Sequence, residues 1–118
     1  MAQTFQDFGL SERAMELCTW IYALTEFFPK DEMFGLTSRL RCAVDSAEHN
    51  IAQGIEFRGK MTDGKLKKLL GLAHDSMQEV QAQLLVARQM KMGDQEMLQK
   101  AEALCAEISN RLGEMIQS

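Results

Sequence analysis

Residues 65–90 read KLKKLLGLAHDSMQEVQAQLLVARQM. Within them Leu66, Leu70, Ala73, Met77, Val80, Leu84 and Ala87 recur at steps of four and three, the spacing that holds apolar side chains on one face of a helix. A helix from Lys65 to Met90 would be roughly 39 Å long at about 1.5 Å per residue. Beside this seam runs a second, partly apolar stripe of Leu69, Leu72, Val86 and Met90. A helix that is apolar over more than one stripe must bury the extra face somewhere. Two readings stay open: contact with two neighbouring helices, or a subunit interface formed by these four residues.

Three further seams flank this one. Upstream, Leu10, Ala14, Leu17, Ile21, Leu24 and Phe28 alternate four and three, with Trp20 and Phe27 expected on the flank. Ser11 followed by Glu12 reads as an N-terminal cap, and Pro29 ends the segment by pushing its predecessor out of the α region. The next seam is Leu36, Leu40, Ala43, Ala47, Ile51 and Gly54 with Val44 beside it, and Gly54 and Gly59 bracket its expected stop. Downstream, Gly93 and Asp94 read as a stop and a new cap, followed by Leu98, Ala101, Cys105, Ile108, Leu112 and Met115. Gly71 and Gly113 inside helical patterns each cost about 1 kcal/mol relative to alanine, so close helix approach is expected there. No stretch alternates with period two. The pattern predicts one all-α domain over residues 1–118, an antiparallel up-down-up-down four-helix bundle.

Composition agrees with that class. The chain has 118 residues, 46% hydrophobic and 25% charged, with a single proline and a formal net charge of −4. No apolar run approaches the ~20 residues of a membrane span, and no basic-then-apolar leader opens the chain, so a cytoplasmic address without a membrane partner is expected. The widely spaced Cys18, Cys42 and Cys105 form neither a disulfide framework nor a zinc knuckle, and Cys105 is expected in the core. The methionines are read mostly as core filler, Met77 and Met115 most clearly.

Catalytic templates are missing: there is no H-E-x-x-H, no G-x-x-x-x-G-K, no G-x-G-x-x-G after a strand and no C-x-x-C. His49 and His74 fail the Glu-x-x-His test of a bundle di-iron site, although Asp45 and His49 share a helix face. A non-enzymatic chain with no catalytic residue, no metal site and no cofactor is expected. Two other groupings stand out. Arg39, Arg41, Arg58, Lys60, Lys65, Lys67 and Lys68 surround the exit of the second segment, where acids are few, and a local basic edge can contact phosphates on an otherwise acidic molecule. Phe57 is the only aromatic beside that edge, so single-strand readout draws little support. Ser46 with Asn50, and Ser76 with Glu79, lie a turn apart beside two seams and are expected to hydrogen-bond across the interface of those helices. Structural register or a ligand or partner site are the two roles open to them.

Residues 28–41, FPKDEMFGLTSRLR, continue through Ala43 and Ser46 into Asn50-Ile51-Ala52-Gln53-Gly54 and Arg58. This resembles the bacterial four-helix bundle family first described from reading frames inside intervening sequences of 23S ribosomal RNA genes. Its pattern is F-P-x-x-E-x-x-G-L-T-S-Q-I-R-R-A-x-x-S-I-P-A-N-I-A-E-G, later joined by A-x-G-S-x-x-E-L, which appears here from Ala73 to Val80 with Asp75, Ser76 and Glu79. The resemblance spans nearly the whole chain. It implies a bundle that assembles into homo-oligomers, typically pentameric rings, with no established enzymatic activity. Distant relatives of similar fold assist reverse transcriptases of diversity-generating retroelements, where a basic pentamer binds nucleic acid, so RNA, DNA or a protein is the implied partner beside self-association. The chain departs from the pattern at Cys42 (arginine in the family), Gln53 (glutamate), Glu48 (proline), Asp75 (glycine) and Arg39 (glutamine). Cys42 and Gln53 read as one lost ion pair. Arg41, Ser46, Asn50, Gly54, Arg58, Ser76 and Glu79 survive and are the expected bearers of a shared function, with Arg41, Ser46, Asn50, Ser76 and Glu79 forming a polar inter-helix cluster.

Overall fold

The computed structural model describes residues 5–117, with side chains from residue 9 onward, so residues 1–4 and 118 of the expected domain lie outside the described residues. Four α-helices account for most of them: α1 (Phe5–Thr25), α2 (Ser38–Glu56), α3 (Asp63–Gln89) and α4 (Gln95–Gln117). Among the described residues there is no strand. The helices pack as a four-helix bundle 45 Å long and 23 × 20 Å across, and no helix is long and apolar enough to cross a membrane.

The four seams meet in one core. Leu10, Ala14, Leu17, Ile21 and Leu24 of α1 are sealed from solvent with Leu40, Val44, Ala47 and Ile51 of α2. Ala73, Met77, Val80, Leu84 and Ala87 of α3, and Leu98, Ala101, Cys105, Ile108 and Leu112 of α4, complete it. Two seams shift slightly from the sequence reading. Val44, not Ala43, is the fully buried member in α2, and Leu104 joins the α4 seam while Met115 is only half-buried. Trp20 packs on the core edge as expected. Phe27 does not: it is 67% exposed, because the chain has left α1 for a turn by that point.

The helix ends follow local chemistry. The Thr25 hydroxyl donates to the Ile21 carbonyl at 2.8 Å and accepts from Arg41 Nε at 2.8 Å, closing the last turn of α1. The connection that follows holds a 3-10 turn (Lys30–Glu32) and a π turn (Met33–Thr37), and it carries Phe34 out to 94% exposure. Asp94 caps α4 as expected, its Oδ1 accepting from the Met97 N–H at 3.0 Å. Thr62 caps α3 in the same way through the Lys65 N–H at 3.1 Å. Ser11 and Glu12, by contrast, lie inside α1, which starts upstream of them.

The glycines divide by role. Gly54 is not a stop but a buried residue inside α2, where an added Cβ would lie 3.3 Å from Leu66 Cδ1 and 3.5 Å from Leu70 Cδ2. The missing side chain is what lets α3 come close. Gly93 sits at φ +77° with Leu24 Cδ1 2.7 Å from the place of a Cβ, so both conformation and space require glycine. Gly71 has no atom within 4 Å of its Cβ position, so close approach does not explain it, and Gly113 has only His74 Nε2 at 4.0 Å.

Cys105 lies in the core, its thiol directed at the Met77 carbonyl at 3.5 Å. Burial pushes that thiol up to about 12. Cys18 is half-buried with Sγ 3.7 Å from the Val44 carbonyl; burial first, then the charges of Asp45 and Glu48, raises it to about 12 as well. Cys42 is exposed.

Two outcomes follow from this core. Gly93→Ala should lower unfolding free energy by about 1–3 kcal/mol, while Gly71→Ala should raise it by about 0.5–1 kcal/mol through helix propensity alone; urea midpoints with equal slopes would check both signs. At pH 8 a disulfide reagent should label one thiol per chain rapidly, Cys42, and reach Cys18 and Cys105 only after denaturant is added.

Candidate functional site

The polar residues singled out in the sequence separate into two places. Ser46 of α2 and Ser76 of α3 do meet, hydroxyl to hydroxyl at 3.4 Å across the interface. Asn50 Nδ2 donates to the Ser46 carbonyl at 3.0 Å, which turns it along its own helix and not toward α3. Glu79, one turn beyond Ser76, accepts from Gln83 Nε2 at 2.8 Å. Arg41 belongs elsewhere, because α2 presents it to α1. Besides bonding Thr25, its guanidinium lies 4.7 Å from the Tyr22 ring centroid and 4.0 Å from the Glu26 carboxylate. Tyr22 in turn donates its phenol to Asp45, which holds that phenol above its ordinary range. The expected cluster of Arg41, Ser46, Asn50, Ser76 and Glu79 is therefore an α2–α3 line plus a separate α1–α2 clamp.

The Tyr22 bond also engages Asp45, which the sequence paired with His49. His49 is exposed, and among the described residues no group of three or more metal-ligating side chains gathers. Cys42 and Gln53 stand about 16 Å apart along α2, so they do not mark one lost ion pair.

The basic residues divide too. Arg39 and Arg41 sit at the start of α2 and Arg58 just past its end, so the helix holds them roughly 25 Å apart. Arg58 and Lys60 lie in the 3-10 turn Arg58–Lys60, and Lys65, Lys67 and Lys68 in the first turns of α3. One continuous edge from Arg39 to Lys68 does not form; a basic turn from Arg58 to Lys68 does. That stretch carries five cations against Asp63, with Glu56 just ahead of it.

A cavity of about 290 Å³ opens beside this turn. Gln53 and Phe57 face it from the end of α2, Lys65 and Leu69 from the start of α3, and Lys60 and Met61 from the connection. Leu69 also packs beside Gly54, its Cβ 4.0 Å from where a side chain at 54 would begin. The Lys60 ammonium stands 6.0 Å from the Phe57 ring centroid. The sequence reading named the cations but discounted Phe57 and left Gln53 and Met61 out of any site. The available signal was a pair of i, i+4 spacings, 53 with 57 and 65 with 69, on two helices joined by a short turn.

Of the stripe expected to be an interface, Leu72, Val86 and Met90 are 46%, 39% and 57% exposed, whereas Leu69 is half-buried against Gly54. The stripe is interrupted: about 21 Å of helix separates Leu72 from Val86, and Ser76, Glu79 and Gln83 occupy that interval.

The α1–α4 side carries a network that the sequence reading did not identify. Arg13 bonds both oxygens of Glu107 at 2.8 and 3.0 Å and reaches Glu16 at 2.8 Å. That guanidinium holds the Glu107 carboxyl below its usual value. Nearby the Lys100 ammonium lies 4.9 Å from the Trp20 ring centroid. Arg88 and Glu102 join α3 to α4 through paired bonds, one at 2.9 Å.

No curated protein matches the chain. Residues 6–114 match the family described as 23S rRNA-intervening sequence protein. That match takes in all of the surviving motif positions, from Arg41 in the α1–α2 clamp to Glu79 on α3. The chain belongs to the 23S rRNA-intervening sequence protein family.

Proposed function

We propose that this chain is a non-enzymatic interaction module: a bundle of alternately up and down helices that assembles with copies of itself, as a pentameric ring in the cytoplasm. The observation that carries this reading is the outer face of α3. Its core stripe is already filled, yet Leu72, Val86 and Met90 project beyond the bundle with large apolar side chains in water. A partner surface that covers them removes that cost, and a bundle of 13.4 kDa gains stability from the added burial. The up-and-down arrangement draws on cross-helix pairs: Gly54 meets Leu66 while Ser46 meets Ser76, so α2 descends as α3 rises. The absence of catalytic templates in the sequence and the family's pattern support a binding role over a chemical one.

A second reading has its own observation. The basic turn from Arg58 to Lys68 concentrates cations at one end of the bundle, which suits contact with nucleic-acid phosphates. Both readings hold together if the ring repeats that turn around its axis.

Light scattering should give a mass several times 13.4 kDa, and Leu72→Glu with Val86→Glu should lower it to that of one chain while helicity is retained. A wild-type protein that is strictly monomeric would overturn the scaffold reading. For the second reading, binding to structured RNA should weaken steeply with salt, and reversing Lys65, Lys67 and Lys68 to glutamate should flatten the slope of log K against log salt by roughly two to three. Binding indifferent to salt, or none at low salt, would remove it.

A further inference from the structure

We propose that the cavity between the end of α2 and the start of α3 is a nucleotide pocket, taking one aromatic base together with its phosphate. The lining supplies each element such a ligand needs. Phe57 offers a ring against which a base can stack. Met61 and Leu69 add apolar wall. The Gln53 carboxamide presents both donors and an acceptor to the polar edge of a base. Lys60 and Lys65 bring two ammonium groups to the rim for a phosphate.

Simpler ligands match this set less well. A bare anion would use the two lysines and leave Phe57, Met61 and Leu69 in water. A neutral aromatic would fill the apolar part and leave the charge unanswered. The cavity, about 290 Å³, lies just under the usual range of ligand sites, roughly 300 to 1,000 Å³, so it suits no ligand larger than one nucleotide. The ring is also accessible at small cost, since Lys60 holds it from 6.0 Å, at the limit of about 6 Å for a cation over a ring.

The residue type at position 53 suits the same ligand. A carboxylate there would repel phosphate beside Lys60 and Lys65; the carboxamide of Gln53 does not, and it adds a donor.

Two sources carry the same chemistry: a free nucleotide and an unpaired nucleotide within a strand. For the strand, the proposal rests on the second reading above, because Lys67 and Lys68 would hold the neighbouring phosphates. Probes labelled with 2-aminopurine, whose fluorescence falls when the base stacks, separate them. One probe is the 5′-monophosphate of 2-aminopurine riboside; the other is a single-stranded RNA octamer with one central 2-aminopurine.

Added protein should quench at least one probe. Quenching of both assigns the pocket to free nucleotides, and quenching of the octamer alone assigns it to an unpaired residue of a strand. Phe57→Ala should weaken the quenched complex at least about fivefold, with Phe57→Tyr retaining it. Gln53→Glu, which sets a carboxylate beside Lys60 and Lys65, should weaken it as well. Lys67→Glu with Lys68→Glu should weaken octamer binding and spare the monophosphate. If the octamer binds in a salt-sensitive way but is unquenched and indifferent to Phe57→Ala, the pocket is refuted while the basic turn stands as a phosphate contact. If inorganic phosphate displaces the probes as well as adenosine monophosphate does, the site is a plain anion site and the proposal falls. If neither probe binds, the pocket is refuted, and the basic turn then stands or falls by the structured-RNA binding described above.

Discussion

The close approach of α2 and α3 is the constraint on which the rest of the structure depends. It is made by an absence: at Gly54 there is no side chain, and Leu66 and Leu70 of α3 occupy the space a methyl group would claim. Helices packed on larger side chains stand about 8–10 Å apart, and a glycine at the contact draws them toward the lower end. With that contact set at one end, Ser46 and Ser76 fall opposite each other between two and three turns away, near enough for their hydroxyls to meet. The same contact seats Leu69 half-buried, where it lines the cavity together with Gln53, Phe57 and Lys65.

Energy and specificity divide along that interface. The sealed seams provide the stabilisation, since each buried leucine or isoleucine contributes about 1.5–3 kcal/mol relative to exposure. The Ser46–Ser76 contact, exposed and 3.4 Å long, adds little to that sum. Its value lies in register. Sliding α3 by one turn keeps apolar residues facing the core in a seam of repeating spacing, but it takes the two hydroxyls apart. The same logic explains why the outer face of α3 is polar in its middle and apolar at its ends. Ser76, Glu79 and Gln83 break what would otherwise be one long apolar strip, and a broken strip associates in fewer ways than a continuous one.

The seams were legible in the sequence because burial in a bundle follows the helical period and little else; Ala87 and Cys105 could be placed inside by spacing alone. Helix ends were harder. Asp94 was readable, since a glycine before it stopped the preceding helix, but Ser11 carries the same cap chemistry with no stop upstream and lies within α1. Thr62 escaped notice because Gly59 before it argues for a loop, though its hydroxyl starts α3. Gly54 was misread for a related reason. Sequence records that a side chain is missing, not whether a turn or a neighbouring helix requires it. The site residues suffered most where proximity along the chain was taken for proximity in space. Arg39 and Arg58 belong to one basic run on paper and to opposite ends of a helix in the fold, while Gln53 and Lys65, twelve positions apart, line one cavity.

Charge pairing decides why a chain of net charge −4 can still present a basic site. Four of the five arginines away from the turn are matched to acids: Arg13 with Glu16 and Glu107, Arg88 with Glu102, Arg111 with Glu107, and Arg41 beside Glu26. Among the described residues Lys60, Lys65, Lys67 and Lys68 enter no ion pair, and Lys60 leans on the Phe57 ring instead. Pairs such as Arg13–Glu107 cancel at short range, so they contribute little field at a distance. Fields between exposed charges fade over roughly 8–10 Å at physiological salt, so what a ligand meets at the turn is set by the charges of the turn itself. The acidity of the whole chain therefore says little about what its α2–α3 end can bind, and the lysines there are placed where an anion would find them unneutralised.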